Sequence, residues 1–532
     1  HLINFFNLTQ KINEDFMMNR RKFLKLSSGS AGSLILPSCS AQSLSISSSD
    51  LPDLNKQPLG SSFGLATSLR EEFSYNPRVN GKIPTELQGT IYRNGPGLFD
   101  RNGSRKLSLL DGDGMVQAYH IREGGVKYLN RFTQTEKYVD EQTAGEFKYA
   151  TWSTQAPGGV LFNLFGMGMR NQAGVSVVHN NGKLYAFDES SQPHELDPET
   201  LDTIGLSHLE LDPDLNIVYN AHPKTDGKSG DWCHFGNSFG RNTSLHITIF
   251  DSLGKLKFQR KVESPRYVYL HDWFVTEKHL VFNLHPAHVN IFGFLSGQRS
   301  LIDSMEWKPD QGNLIMVLNR DGSGDPIFLE TEASWMWHSL NAYDLDGTII
   351  ADFVGYQNPD HFLGEEANLR MITQGKLGKN HYKGEIRRYV LNLGKKSIKQ
   401  TVVDSDHNEF PIVNPIHSCH EHRFGYFVSG GTIPTSSRVK KVDFKTGKTT
   451  SFDFGQGLYC GEAIFAPKPG FLYETGSVNE PGWILTQVYN GHTRKTFMAI
   501  LDADQLEDGP VSTIHNTHHV PLSFHGWWKG VS

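Results

Sequence analysis

The sequence predicts an all-β protein whose strands are arranged as a β-propeller. Beyond residue 60, short alternating or β-branched runs bounded by Gly, Asn and Asp recur, while hardly any segment keeps a 3.6-residue apolar period. The 52 glycines and the 11% aromatic content point the same way, because turns favour glycine and strands favour aromatic side chains. Representative predicted strands are Lys183–Phe187, Leu245–Phe250, Gly425–Ser429 and Trp483–Tyr489.

A degenerate hairpin unit also recurs, in which an apolar residue, an aspartate, a turn and a glycine lie between two predicted strands. Its copies are Phe250–Gly254, Tyr343–Gly347 and Val442–Gly447. In a chain of 532 residues, repeated hairpins favour a propeller, because radial stacking covers the sheet faces without leaving long open edges. A pair of packed β-sandwiches is the alternative fold.

Composition excludes several classes of function. A net charge of −6 provides no excess of positive charge for binding nucleic acid, so we expect no nucleic-acid partner. The four cysteines are far apart and form no C-x-x-C pair, which argues against a disulfide scaffold and a cysteine zinc site. No feature of the sequence indicates an obligate protein partner.

The N-terminal region has the pattern of an export signal. Asn19–Lys25 is similar to a twin-arginine motif, an apolar run from Leu26 to Leu36 follows it, and Leu36–Cys39 is similar to a lipoprotein cleavage box. We therefore expect export, with Cys39 as a possible lipidation site and Met18 as a possible start; a cytoplasmic protein with a short basic tail is the alternative. The predicted organisation is an upstream segment and signal at 1–39, a flexible linker at 40–60, and the catalytic propeller at 61–532.

Two apolar stretches, residues 158–169 and 289–296, lack the alternation of strands. Core packing explains such stretches as readily as a functional surface does. The functional interpretation is an apolar entrance that touches a membrane or receives an apolar substrate. The candidate entrance residues are Val160, Leu161, Phe162, Leu164 and Phe165.

Histidine is unusually abundant, with 24 copies, and four of them lie next to segments that resemble buried strand ends. Their spacing is too long for any local metal motif. In a propeller, however, the inner strands bring distant parts of the chain to one axis, where such side chains can meet. The four are His222, His271, His338 and His525.

A set of ordered motifs resembles the signature segments of the carotenoid cleavage oxygenases, over residues from about 60 to the end. These motifs are Tyr92–Gly97, Asp111–Met115, Leu270–Phe274, Asn408–Pro411, Gly461–Gly470 and Phe524–Trp527. Glu141–Gly145 and Glu189–Glu195 are most similar to bacterial apocarotenoid-cleaving members. The resemblance implies a seven-bladed propeller with an axial metal site, covered on its top face by a dome of loops and short helices.

The resemblance also implies a non-haem Fe(II) held by His222, His271, His338 and His525, with Glu189, Glu409 and Glu462 behind them. Neutral imidazoles suit Fe(II), and metal-bound imidazoles usually donate their second N–H to an acceptor such as a carboxylate. Where relatives carry a small polar residue, this chain has Gly174 and Val175. Lys137 falls where stilbene-cleaving members carry a lysine that engages a phenolic hydroxyl. Its plainer interpretation is a surface lysine on a strand.

The function that the resemblance implies is cleavage of a conjugated double bond in an apocarotenoid or carotenoid, with O₂, to give two carbonyl products. The expected partners are therefore an apolar polyene, O₂ and a membrane surface. Three alternatives stay open: a stilbene-type or lignostilbene-type dioxygenase with the same metal site, an isomerohydrolase that uses the iron without O₂, and a metal-free propeller that only binds ligands.

Overall fold

The computed structural model describes residues 51–166, 168–209, 211–212, 217–238 and 243–531. The described strands form seven antiparallel sheets arranged as the blades of a propeller. The last strand of the chain, His525–Gly530, pairs with Gly89–Leu98 and so joins the C-terminus to the first blade. The early strand Arg78–Gly81 likewise pairs with Pro510–His515 in the last blade. Both ends of the chain therefore help to close the ring, and the predicted seven-bladed propeller is confirmed.

The first four blades are antiparallel sheets that follow one another along the chain. In hydrogen-bonded order, blade 1 contains Ser74–Tyr75, Gly125–Phe132, Asp113–Arg122, Gly89–Leu98 and His525–Gly530. Blade 2, in the same order, contains Thr203–Leu206, His194–Leu196, Lys183–Phe187 and Ser176–Asn180. Blade 3 contains Val218–Tyr219, Trp232–Ser238, Ser244–Phe250 and Leu256–Glu263, with Lys224–Thr225 also paired to Trp232–Ser238. Blade 4 contains Phe274–Val275, His279–Leu284, Asn313–Asn319 and Ile327–Thr331.

The remaining three blades are also antiparallel, with neighbouring strands hydrogen-bonded in the same way. Blade 5 contains Trp335–Leu345, Thr348–Tyr356, Glu385–Asn392 and Ser397–Asp404. Blade 6 contains Asn408–Ile412, Phe424–Ser429, Arg438–Asp443 and Thr449–Asp453. Blade 7 contains Arg78–Gly81, Pro510–His515, Lys495–Asp502, Gly482–Asn490 and Leu458–Pro467. Two small ribbons lie outside the blades and pair Asp100–Arg101 with Ser104–Arg105 and Ala287–Val289 with Met305–Trp307.

Helices are short and lie in the connections between strands. The α-helices are Glu136–Ala144, Val160–Asn163, Ile291–Leu295 and Asn368–Met371. The 3₁₀ helices are Leu54–Lys56, Ser62–Ala66, Leu109–Asp111, Leu164–Gly166, Ile302–Ser304, Pro309–Gln311, Ile372–Gln374, Pro415–His417 and Leu506–Asp508. In the described part of the chain, no helix is both long enough and apolar enough to cross a membrane.

Apolar side chains from neighbouring blades form the core. Phe274 of blade 4, for example, clusters with Phe353 and Tyr389 of blade 5, and all three are fully buried. The predicted hairpin units form tight turns as expected: Gly254, Gly347 and Gly447 adopt φ between 74° and 80°, a conformation that glycine adopts at little cost. The inner strands, such as Gly89–Leu98 and Trp335–Leu345, are buried along almost their whole length, so neighbouring blades cover both of their faces.

The predicted signal, including Cys39, lies outside the described residues. The later half of the predicted linker carries the 3₁₀ helix Leu54–Lys56, capped by Asp53. Arg494 of blade 7 donates to the backbone oxygen of Gln57 at 2.9 Å. Residues 53–57 therefore contact the propeller.

Candidate metal centre

The structure brings the four histidines together. His222, His271, His338 and His525 each offer one ring nitrogen, and these four nitrogens all lie within 4.8 Å of one another. The four histidines come from different blades. His525 begins the innermost strand of blade 1, and His338 lies in the first strand of blade 5. His222 flanks the short first strand of blade 3, and His271 flanks that of blade 4.

A carboxylate stands behind three of the four imidazoles. The ring Nδ1 atoms lie 3.0, 2.6 and 2.8 Å from oxygens of three glutamates, for the pairs His271 with Glu189, His338 with Glu409, and His525 with Glu462. Each Nδ1–H donates to its carboxylate, which leaves Nε2 with a free lone pair facing the centre. The three glutamates belong to blades 2, 6 and 7, so every blade contributes one residue to the site.

Further hydrogen bonds fix these carboxylates. Glu409 accepts from the Phe410 backbone N–H at 2.6 Å and from the Tyr356 hydroxyl at 3.1 Å. Arg93, which is fully buried, donates to Glu462 at 3.0 Å. Because each oxygen is already engaged, the carboxylates hold the imidazole rings in one orientation.

Glu189 differs from the other two, because it lies in a bend two residues after the strand Lys183–Phe187. The Tyr269 hydroxyl donates to it at 2.6 Å, and Asn220 donates to its other oxygen at 2.7 Å. Sequence reasoning did not single out Tyr269, although it lies two residues before a candidate ligand in one of the motifs. Its position beside the ligand is the signal that was available.

Burial disfavours the charged form of two of the four imidazoles. Burial, followed by repulsion from the neighbouring imidazoles, holds the pKa of His222 and of His525 well below the ordinary value. Burial alone would raise the pKa of Glu409, but His338 and the Phe410 N–H lower it to about 2. Four imidazole nitrogens, three of them backed by carboxylates, form a donor set that fits a divalent transition metal. The site is therefore a four-histidine metal site.

An apolar cavity adjoins the metal site. His271, His338 and His525 border it, together with Trp152, Val175, Tyr269, Trp337, Phe410 and Phe524. Among its lining residues within the described ranges, Glu189 is the only one with a formally charged side chain, and its carboxylate is already engaged. The arrangement offers an aromatic surface to a ligand and hydrogen-bonding groups only at the metal end.

Val175 lies where a small polar side chain is expected from the resemblance. It borders the apolar cavity, and the preceding Gly174 packs against the backbone of Gly114. A side-chain hydroxyl is therefore absent from position 175, and the cavity wall there is apolar.

The interpretation of Lys137 as a surface lysine on a strand is wrong. Lys137 lies in the helix Glu136–Ala144, and its side chain is fully buried. Its ammonium contacts Asp113 at 2.5 Å and Glu141 at 2.9 Å. These two carboxylates engage Lys137, which is not among the residues that border the apolar cavity.

The candidate entrance residues form part of an exposed apolar surface. Val160, Leu161, Phe162 and Phe165 are exposed, while Leu164 is half-buried. The second apolar stretch joins them: Gly166 lies against the Phe294 ring, and Phe292 is 89% exposed. We call this combined surface of residues 160–166 and 291–295 the apolar patch.

The geometry defines a class, a seven-bladed propeller with a four-histidine metal centre. Residues 66–530 match the family model described as RPE65, retinal pigment epithelial membrane protein. The chain therefore belongs to the RPE65/carotenoid cleavage oxygenase family, whose members include oxygenases that cleave double bonds.

Individual relatives agree with that assignment. The chain is 30% identical over 462 residues to apocarotenoid-15,15'-oxygenase of Synechocystis sp., covering 85% of this chain and 92% of the relative. It is 27% identical over 467 residues to isoeugenol monooxygenase of Pseudomonas nitroreducens, covering 85% and 94%. The solved structure of a cobalt-substituted Synechocystis apocarotenoid oxygenase matches with a TM-score of 0.82 at 28% identity, covering 88% and 98%.

Replacing Glu409 with glutamine is expected to weaken metal binding by roughly 10- to 100-fold, the usual effect of losing such a partner of a metal ligand. Glutamine keeps one acceptor oxygen but turns the other into an amide donor, whereas Glu409 accepts from three donors. Competition with a chromophoric chelator measures the affinity. Tyr356→Phe is the control, since it removes one hydrogen bond and keeps the charge. Equal affinities of Glu409→Gln and wild type would contradict the role of this carboxylate in fixing His338.

Proposed function

We propose that the protein is a non-haem Fe(II) dioxygenase that cleaves a conjugated carbon–carbon double bond of an apocarotenoid or carotenoid with O₂, giving two carbonyl products. The observation that carries the proposal is an aromatic cavity that ends on three of the four clustered histidines. The name of the Synechocystis relative, an apocarotenoid oxygenase, supports the substrate class.

The lining of the cavity suits a long, rigid and apolar substrate. Trp152, Trp337 and Phe524 offer aromatic surface, and dispersion and burial of apolar area supply the binding free energy. A polyene has no groups along its chain that need hydrogen bonds, so a cavity wall without free charges does not reduce its binding free energy. The position at which the substrate stops would then decide which double bond lies beside the metal.

The residues of the site would hold the metal and orient the reaction. A bound Fe(II) would supply activation of O₂, which no amino-acid side chain provides. The four imidazoles hold the metal without contributing negative charge, and Glu189, Glu409 and Glu462 hold the imidazoles in place. The aromatic walls exclude bulk water from the reacting bond. None of these steps needs a protein nucleophile.

The phenolic alternative is less well supported. The relative named isoeugenol monooxygenase keeps it under consideration, because isoeugenol is a phenol. A lysine that engages a phenolic hydroxyl must reach the substrate, whereas Lys137 is buried in an ion pair with Asp113 and Glu141. We therefore rank an apocarotenoid or carotenoid ahead of a stilbene or isoeugenol.

The proposed function is tested by incubating the iron-loaded protein, under ¹⁸O₂, with a panel of apocarotenals, carotenoids, a phenolic stilbene and isoeugenol. Mass spectrometry of the products identifies the cleaved bond and the origin of each carbonyl oxygen. Aldehydes from a polyene that carry ¹⁸O support the proposal. Conversion without label would indicate an isomerohydrolase, and turnover of the phenols alone would indicate the alternative substrate class. Purified protein that retains no iron would indicate a metal-free binding module.

We also propose that the apolar patch contacts a membrane and admits the substrate. A small cavity beneath the patch is bordered by Thr151, Asn163 and Phe294. Trp152, the next residue after Thr151, borders the apolar cavity beside the metal. We propose that a lipid-dissolved polyene passes from the patch to the metal site beside Thr151 and Trp152.

Charging the patch should weaken membrane binding. In the double variant Leu161→Asp/Phe292→Asp, two side chains that are 73% and 89% exposed become anionic. Burial of apolar area at about 25 cal/mol per Å² drives insertion, so we expect binding to phosphatidylcholine vesicles to fall by roughly tenfold or more. Leu253→Asp, on an exposed hairpin turn of blade 3, is the matched control. Co-sedimentation measures the binding, and equal binding of the two variants would refute the role of the patch.

Export remains a proposal that depends on the sequence alone. The twin-arginine-like segment would carry a folded protein, which suits an enzyme that acquires its metal before export. Fusing residues 18–60 to a reporter tests this, with retention in the cytoplasm as the contrary result.

A further inference from the structure

A second pocket reaches the four-histidine cluster from another side. Its volume is about 210 Å³, against about 50 Å³ for the apolar cavity. His338 and His525 border both spaces, whereas His222 borders only the second pocket and His271 only the apolar cavity. The cluster therefore lies between the two spaces.

The second pocket has a mixed lining, in which an ion pair and hydroxyl groups lie beside apolar residues such as Ile412 and Trp527. Lys224 contacts Asp272 at 2.7 Å and donates to the Ser339 hydroxyl at 2.9 Å. Asp272 in turn accepts from the backbone N–H and the hydroxyl of Ser339. The Lys224 side chain is 21% exposed and that of Asp272 only 1%, so this ion pair runs from the solvent towards the interior. We call this space the polar pocket.

Phe410 separates the polar pocket from the apolar cavity. Its ring borders both spaces, stacks on His338 with a centroid distance of 5.2 Å, and contacts His525 edge-on at 5.7 Å. Its backbone φ is +48°, a conformation that is strained for a bulky residue. The fold holds Phe410 in this conformation, and the ring divides a polar route from an apolar one.

His222 is the ligand that differs from the rest. It is half-buried, whereas the other three histidines are buried. Within the described part of the chain, its ring has no carboxylate partner of the kind that fixes His271, His338 and His525. His222, the imidazole without a carboxylate partner, is thus the one that borders the polar pocket and not the apolar cavity.

We propose that the polar pocket is the route by which the hydrated metal ion enters the four-histidine site, and that the Lys224–Asp272 ion pair controls the rate of entry. A hydrated divalent cation would lose its water shell in the apolar cavity, at a high cost in free energy. In the polar pocket the oxygen atoms of Asp272 and Ser339, which are paired with Lys224 and with each other, would exchange those contacts for the cation and so replace part of that shell. Lys224 neutralises Asp272 and so weakens its attraction for a cation. Metal and polyene therefore reach the same centre through separate spaces.

The test measures uptake of Co(II) by the metal-free full-length protein, followed in a stopped-flow instrument by the visible absorption of bound Co(II). Lys224→Met leaves the Asp272 charge uncompensated, so we expect the uptake rate to rise about 3- to 10-fold at low ionic strength, as single charges near a binding route do. The increase should shrink in 0.5 M salt, because screening weakens attraction over this distance. Lys224→Arg should behave as wild type.

Two further variants make the result decisive. Lys379→Met removes an equally positive but exposed side chain that pairs with Glu366, and it should leave the uptake rate unchanged. Val175→Phe fills the apolar cavity and should also leave uptake unchanged. Unaltered uptake in Lys224→Met, or slowed uptake in Val175→Phe, would overturn the proposal. The entry route rests on the proposed metal site, but Co(II) uptake is read without any substrate, so a failed dioxygenase assay would not affect it.

Discussion

Replacing His271 with alanine is expected to abolish iron retention. His271 supplies one of four nitrogens within 4.8 Å of each other, and its Nδ1 is held by Glu189 and Tyr269. Loss of a hydrogen-bonded partner of a ligand costs roughly 10- to 100-fold in metal affinity, and loss of the ligand itself should cost more. We therefore expect the purified variant to contain almost no iron by elemental analysis, and to cleave no double bond.

Controls separate metal loss from misfolding. His381→Ala removes an exposed histidine that lies beside Asp360, outside the site, and should retain a full complement of iron. The circular dichroism spectrum and thermal unfolding of His271→Ala should match those of metal-free wild type. The strand pairing that closes the propeller, between Gly89–Leu98 and His525–Gly530, does not involve the His271 imidazole. Wild-type iron content in His271→Ala would show that the four histidines do not hold the metal.

The four histidines could be nominated from sequence because they lie in motifs that resemble one family. What the sequence could not provide is the distance between them. His222 and His525 are 303 positions apart, and only the closure of the ring by His525–Gly530 brings them together. The polar pocket was not predicted for the same reason: Lys224, Asp272 and Ser339 belong to separate parts of the chain, and each is unremarkable alone.

The error at Lys137 has a local physical cause. The strand Gly125–Phe132 ends only five residues before Lys137, and the polar run Thr133–Lys137 that follows it has no apolar periodicity of its own. The helix signals lie at the two ends of the helix: Thr135 accepts from the Tyr138 N–H as an N-cap, and Gly145 ends the helix at φ +72°. A nine-residue helix between such caps was readable from the sequence. The burial of the Lys137 side chain was not readable from the sequence, because its charged partner Asp113 lies far from the helix in sequence, on a strand of blade 1.

Replacing Lys137 with methionine should therefore destabilise the whole protein. The variant removes the cation that contacts both buried carboxylates, Asp113 and Glu141. Arg101 stays at 3.1 Å from Asp113 and 4.0 Å from Glu141, and Lys106 acts on both from farther away. Removing one member of a buried ion pair costs about 3–5 kcal/mol, because it leaves a charge without compensation. We expect the midpoint of guanidinium-induced unfolding to fall accordingly.

A second substitution and a substrate comparison identify the cause. Lys137→Met/Glu141→Gln neutralises one of the two carboxylates that lost their contact with Lys137, and it keeps an acceptor for the Lys148 and Tyr149 backbone N–H groups, so it should recover part of the lost stability. A structural lysine predicts that any remaining activity of Lys137→Met falls equally on an apocarotenal and on a phenolic stilbene. A lysine that engages a phenol predicts selective loss of the stilbene reaction, with stability near wild type. Because the two roles differ in both measurements, one variant decides between them.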